Sequence, residues 1–308
     1  MRFTNQSMQE IFPLLQDALK KSHTIYFEVY NPDLADYYAG EEITLDNIVY
    51  LYRGYKAWID LASLLHCKML TPEKSTFPLI KLSFKKLEIQ NSFHRQTEMP
   101  TEEKYGINSS FASIHKMEEP SFFYYYLQAL KNIHIENKTR ILNLGINKAD
   151  ELEVIKKQLD IRKYQNIDFV GIDHSNTAIS YAKAKFPEKN VTFYVHDINH
   201  LDALKLGQFD VLISIGTLQS PNIQFKPFFM SLVQKYLTKD AAIILGFPNS
   251  RWVGGEMLYG AKAPNYAMSE MSLLFNDVMF CKKYLQQKKY RVTLTGKYYI
   301  FLTATKIH

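Results

Sequence analysis

Short apolar runs and amphipathic stretches alternate regularly from Thr139 to the end of the chain. Runs rich in Ile, Val, Leu and Phe suit strands buried on both faces, the pattern of a parallel sheet. They predict strands at Arg140–Leu144, Asp168–Ile172, Val191–Val195, Phe209–Ile215 and Ala241–Gly246, with two more at Arg291–Thr295 and Tyr298–Thr305. Between them, apolar positions at helical spacing predict helices near Glu151–Leu159 and over Thr177–Phe186, Pro227–Leu237 and Met271–Leu285. Pro187 ends the second of these. Pro227 opens the third, where a missing N–H costs nothing. Strand–helix alternation with short connections implies a doubly wound α/β fold. Only Gly296-Lys297 separates the last two strands, so they must pair antiparallel. The expected fold is a doubly wound, mostly parallel seven-stranded sheet with an antiparallel last strand.

The first part of the chain is patterned differently. Gln6–Lys20 reads as a helix, complicated by Pro13. Thr24–Tyr30 alternates, with Ile25, Phe27 and Val29 on one side, and reads as a strand. Glu42–Arg53 suggests a hairpin about Asp46-Asn47, two residues tolerant of positive φ. Tyr55–Met69 carries a helical stripe of Tyr55, Trp58, Ile59, Ala62, Leu65 and Met69, and Thr71-Pro72 stops it. Leu79–Leu87 is a further strand. Gln90–Glu119 is polar and irregular and is expected to form a mobile connection or lid. Ser121 then caps a helix running through Leu130. The expectation is a smaller N-terminal α+β unit over residues 1–120, acting as a substrate cap, followed by the sheet domain over 121–308.

Composition narrows the class. With 308 residues, 46% hydrophobic and 22% charged, the chain can bury ordinary globular cores and suggests two domains. No apolar run approaches the ~18 residues of a membrane span. Met1–Lys20 has no signal-peptide apolar region. Cys67 and Cys281 lie far apart, which fits a reducing cytoplasm and argues against a metal site. His66 beside Cys67 reads as a packed histidine next to a buried thiol. The net charge of +6 comes from scattered lysine pairs such as Lys156-Lys157 and Lys288-Lys289. Those suit solvated helix faces rather than a basic stripe, so a nucleic-acid partner is possible but not favoured. The 21 Tyr and 20 Phe serve cores and can line a pocket.

The stretch Lys138–Glu151 reads as strand, tight turn and helix. Gly145 supplies a position without a Cβ, and Asn147 is the best non-glycine candidate for a left-handed conformation. Such a unit suits an extended nucleotide-like ligand, which binds beyond the carboxyl ends of the strands. Other strand ends carry matching chemistry. Asp173 can accept from ribose hydroxyls. Asp197 can accept from an adenine amine while Ile198 donates a backbone N–H. The carbonyls of Ser214 and Gly216 can take a ligand ammonium. Each acid also has a local role open to it: Asp173 as a cap for the helix at Thr177, Asp197 in an Asx turn.

On these motifs, Thr139–Thr305 resembles a class I S-adenosylmethionine-dependent methyltransferase domain. The matching pieces are Ile-Leu-Asn-Leu-Gly-Ile-Asn-Lys-Ala, Val-Gly-Ile-Asp-His-Ser, His-Asp-Ile and Phe-Asp-Val-Leu-Ile-Ser-Ile-Gly-Thr-Leu-Gln. The resemblance implies a Rossmann-like fold and S-adenosyl-L-methionine as cofactor. It places the ribose-binding acid on Asp173 and the adenine-side acid on Asp197. Asn143 stands where that family has an acid. Gly145 matches its glycine, and Asn147 and Ala149 replace its later glycines. The implied activity is methyl transfer to the N or O nucleophile of a small-molecule acceptor. An RNA-directed methyltransferase and a non-catalytic cofactor-binding relative are alternatives. A nicotinamide-dependent reductase is a further one, against which the missing Gly-x-Gly-x-x-Gly counts. No catalytic dyad is legible. The acceptor pocket is expected in Phe247–Met268, with Asn249, Arg251, Glu256, Tyr259 and Tyr266 as substrate candidates beside Trp252 and Asn265.

Overall fold

The computed structural model describes residues 1–88, 103, 106–260 and 271–307. The chain divides into two compact units, Met1–Ser92 with Trp252–Leu258, and Phe93–Arg251 with Tyr259–His308. The division falls earlier than the expected boundary at residue 120 and returns a short later segment to the first unit.

The first unit opens with helix α1 (Met8–Lys21), started by a capping box between Ser7 and Glu10. Its buried stripe is Ile11, Leu15 and Leu19. Strand β1 (Thr24–Tyr30) follows, then the hairpin β2 (Glu42–Leu45) and β3 (Ile48–Leu51). The hairpin turns on Asp46 and Asn47 at φ 51° and 62°, the conformation a two-residue turn requires. Helix α2 (Tyr55–Leu64) is shorter than its apolar stripe predicts. His66 adopts φ 54° and closes the helix, and β4 (Cys67–Met69) begins at once. The cause is tertiary: Cys67 and Met69 pair with Lys86 and Phe84 of β6 (Leu79–Lys86), beside the two-residue β5 (Glu73–Lys74). β1 and β4 flank β6 antiparallel, and Phe27, Phe84 and Trp58 pack in the core against α1.

The second unit begins its regular structure with α3 (Pro120–Asn132). Glu119 rather than Ser121 is its N-cap, and Pro120 takes the first helical position. Then come β7 (Arg140–Leu144), α4 (Asp150–Gln158), a short α5 (Ile161–Gln165) that was not expected, β8 (Asp168–Asp173), α6 (Asn176–Lys185), β9 (Val191–Val195) and β10 (Phe209–Ile215). Helix α7 (Phe225–Ser231) runs into a π-type turn over Leu232–Tyr236. β11 (Leu237–Pro248) is longer than its apolar run. A hairpin, β12 (Ser250–Val253) and β13 (Glu256–Tyr259), occupies part of the stretch read as a connection. Helix α8 (Ser272–Gln287) and strands β14 (Tyr290–Gly296) and β15 (Tyr299–Lys306) close the chain.

The sheet order is β14-β15-β11-β10-β7-β8-β9. The five strands from β7 to β11 run parallel, and β15 inserts antiparallel between β11 and β14. Both faces are buried. Ile141, Ile213, Ala242 and Phe301 join one core with α3 and α4, while Leu142, Leu212, Ile243 and Leu302 join the other with α7 and α8. From β7 the chain builds outward to β8 and β9, then crosses back to add β10 and β11 on the opposite side. The order therefore reverses between β7 and β10, and that switch point is where such sheets open a ligand crevice. No described helix is long and apolar enough to cross a membrane.

Candidate functional site

Gly145 ends β7 and Gly216 ends β10, so the two glycines face the switch point from either side. Gly145 has φ 70° and its N–H donates to Ile172 O at 2.8 Å; the N–H of Ile146 reaches the same carbonyl at 3.2 Å. A Cβ on Gly145 would lie 1.9 Å from Thr217 Oγ1, so this glycine admits the loop that leaves β10. Asn147 and Ala149 follow at φ 46° and 60°. The first-motif turn thus keeps the left-handed conformation glycine favours at both positions where glycine is absent. Asn147 supports its own strain, because its Oδ1 accepts from Lys148 N at 2.9 Å.

Asp173 ends β8, is 5% exposed, and lies against this turn. Its Oδ2 accepts from Asn147 N and its Oδ1 from Ser175 N, both at 2.9 Å. The acid does not cap α6. Ser175 does, accepting from Ala178 N at 3.1 Å. Each carboxylate oxygen keeps a further lone pair, so Asp173 can still receive hydroxyl donors. Asp197 is less committed to a site. Its Oδ1 accepts from Asn199 N at 2.9 Å, the Asx turn open to it, and its side chain is half exposed beside His200. Ile198 is buried in the same turn. Asn143 is buried within β7. Ser214 is buried, and its hydroxyl donates to Leu144 O at 3.2 Å, tying β10 to β7 at the switch point. The structure therefore gathers Gly145, Asn147, Asp173, Ser214 and Gly216 at one end of the sheet, with Asp197 and Ile198 beyond β9.

Other groups at this end escaped the sequence reading. Glu103 sits at the N-terminus of α6, where its carboxylate accepts from Ser175 Oγ at 3.0 Å, Thr177 N at 3.3 Å and Thr177 Oγ1. Burial works against its charge, but these hydrogen bonds from Thr177 and Ser175 hold it below the usual carboxylate range. Lys148 is buried and donates to Ala112 O at 2.6 Å. Glu151, in the first turn of α4, is 9% exposed. Burial pushes it up to about 7, with Lys116 pulling down and Asp150 and Asp173 pushing up. Tyr299 opens β15 opposite Pro248, and its hydroxyl lies 3.5 Å from where a Cβ on Gly216 would stand. Glu103, Lys116 and Tyr299 come from segments far from the motifs in sequence, so no local pattern could mark them.

The substrate candidates do not form one cluster. Asn249 is 1% exposed and joins strand ends: its Nδ2 donates to Lys297 O at 2.9 Å and its carbonyl accepts from Gly260 N at 2.9 Å. Its Oδ1 is buried without a partner among the described residues, as is Gln219 Oε1 in the loop after β10. A buried acceptor of this kind is satisfied by a donor beyond the described residues, from this chain, water or a ligand. Arg251 donates to Gly260 O at 3.2 Å, and the ring of Tyr259 lies 6.1 Å from that of Tyr298. Glu256 belongs to the first unit, 3.9 Å from Lys68. Tyr266 and Asn265 lie outside the described residues, as does part of the segment Gln90–Glu119.

The family model described as a methyltransferase domain matches residues 135–294, more than half of the chain, and the chain belongs to that family. No curated protein matches it significantly. Among solved structures, it is similar to the plantazolicin methyltransferase BpumL in complex with a substrate analogue and SAH, at 14% identity and a TM-score of 0.44, covering 63% of this chain and 88% of that one. It is also similar to a precorrin-6y C5,15-methyltransferase from Geobacter metallireducens GS-15, at 11% identity, TM-score 0.41, covering 59% and 87%. A third is the magnesium protoporphyrin IX methyltransferase from Synechocystis PCC 6803 with bound SAH, at 14% identity, TM-score 0.40, covering 63% and 89%.

Proposed function

We propose that the protein transfers the methyl group of S-adenosylmethionine to an oxygen or nitrogen nucleophile on a small molecule. The observation that carries this reading is the Asn147–Asp173 contact, which fixes a buried acid beside a left-handed turn at the switch point of a methyltransferase-family sheet. The donor set fits the cofactor. Asp173 would receive the ribose hydroxyls, Asp197 and the Ile198 N–H the adenine edge, and the carbonyls of Ser214 and Gly216 the amino-acid ammonium. When bound, the cofactor supplies an electrophilic methyl carbon. An acceptor lone pair would bond that carbon as the carbon–sulfur electrons go to sulfur, leaving a neutral thioether, and any acceptor proton would pass to solvent. The protein's part is alignment, with acceptor and methyl near ~3–3.5 Å. We assign acceptor recognition to the first unit and to Asn249, Arg251, Glu256, Tyr259 and Tyr266.

One observation favours a second reading. Thr217 fills the space over Gly145, which suits a relative that keeps the fold without taking the cofactor. Calorimetry with S-adenosylhomocysteine, with NAD as control, tests the cofactor assignment. Binding of S-adenosylhomocysteine alone supports it, and binding of neither ligand favours the second reading.

A further inference from the structure

The adenosine half of the proposed site lies toward β8 and β9, which leaves the other side of the switch point, toward β10, β11 and β15, for the reacting end of the cofactor and its acceptor. Tyr299 leaves β15 with its hydroxyl packed over Gly216, 3.5 Å from where a Cβ there would stand, and its ring is held edge-on by Phe122 at 5.0 Å. It shares a core with Phe301, at 6.4 Å between ring centroids. The ammonium of Lys116 stands 5.1 Å over the Tyr299 ring and 5.5 Å over that of Phe111. A cation between two aromatic faces is attracted by both, so it helps to hold the Tyr299 ring in place. Glu151, Asp150 and Asp173 are among the acids at the same end of the sheet.

Resting on the cofactor reading above, we propose that Tyr299 is the residue at which the methyl acceptor meets the donor, with Lys116 as its positioning residue. The phenol is a hydrogen-bonding group, so it selects an acceptor atom that has both a lone pair for the methyl carbon and a second lone pair or a proton for Tyr299. Oxygen and nitrogen nucleophiles meet that condition and carbon nucleophiles do not. The ring serves packing and the hydroxyl serves the acceptor, so Tyr299→Phe separates the two.

The test needs no knowledge of the acceptor. Sinefungin carries an amine on the carbon that replaces the sulfonium, and so puts a hydrogen-bonding, cationic group where the methyl would be. Calorimetry compares it with S-adenosylhomocysteine, which has nothing there. In Tyr299→Phe, sinefungin binding should weaken roughly tenfold, the scale of one hydrogen bond to a charged group, while S-adenosylhomocysteine stays within about twofold. In Lys116→Met the Tyr299 ring loses the cation that holds it, so sinefungin should weaken relative to S-adenosylhomocysteine, by less than in Tyr299→Phe. If the two ligands move together in both variants, or neither moves, Tyr299 is a packing residue and the proposal is overturned. Failure of the unaltered protein to bind either ligand would instead overturn the cofactor reading.

Discussion

The backbone N–H of Asn147 donates to Oδ2 of Asp173 at 2.9 Å, joining the turn after β7 to the acid that ends β8. One contact therefore orders both the loop that would approach a ligand and the carboxylate that would recognise it.

Asp173→Ala removes an acceptor for Asn147 N and Ser175 N and should act twice. Stability should fall by about 1–3 kcal/mol, because buried donors lose their partner. S-adenosylhomocysteine binding should weaken by roughly 1.5–3 kcal/mol, the scale of a hydrogen bond to a charge. Denaturant melts and calorimetry measure the two effects separately. Unchanged affinity in a folded variant would remove Asp173 from the ribose assignment.

Ala149 is fully buried at φ 60°. Ala149→Gly gives up a packed methyl but relieves left-handed strain, two effects of about 1 kcal/mol each that oppose one another. The variant should melt close to the parent. Ala149→Val keeps the strain and adds bulk in a filled space, and should cost about 2 kcal/mol or more. Equal melting of the Gly and Val variants would show that the turn does not hold this conformation in solution.

Gly145→Ala forces a Cβ against Thr217 Oγ1 and Cγ2 at a φ of 70°. It should destabilise by about 1–3 kcal/mol. Thr217→Gly removes the colliding atoms, so the double variant should recover part of that loss. A double-mutant cycle reads the coupling, and strict additivity would mean the two residues do not meet.

Glu151 gives a pH signature. Its ordinary value of 4.5 is raised to about 7 by burial. Between those values the folded state holds more protons than the unfolded one, so stability is greatest near pH 4.5 and falls as pH rises toward 7. A shift of that size corresponds to roughly 3 kcal/mol as an upper bound. Glu151→Gln should flatten the decline across this window. Glu153, held at about 2 by hydrogen bonds from Lys157 and Lys185, acts only below it, where its stabilisation is lost as pH falls. Urea melts from pH 4.5 to 8 on both proteins decide it, and parallel curves would mean Glu151 is not the titrating group.

Deleting residues 1–88 tests the first unit. The deletion strips Val253 and Leu258 of their partner Leu87. S-adenosylhomocysteine affinity should stay within about threefold, since all the proposed cofactor groups lie in the second unit, while transfer to the physiological acceptor is lost. Full transfer by the shortened chain would take acceptor recognition away from the first unit.

What was legible in the sequence was whatever local periodicity and turn chemistry dictate. The apolar runs of β7, β8 and β10 suit burial on both faces, so their residues name a buried parallel sheet before any contact is seen. Gly296-Lys297 forces β14 and β15 antiparallel by loop length alone, and Asp46-Asn47 marks its hairpin by tolerance of positive φ. Gly145 and Asp173 were legible because strand ends are fixed by those runs. Tertiary structure decided the rest. The apolar stripe from Tyr55 to Met69 is helical in pattern, yet Cys67 and Met69 gain more by completing the edge of β6, and the helix stops at Leu64. Asn147 and Ala149 hold a glycine-like turn because Asp173 and the packing beneath them outweigh their intrinsic preference. Glu103, Lys116 and Tyr299 reach the same end of the sheet from distant parts of the chain, and only the folding of the second unit puts them there.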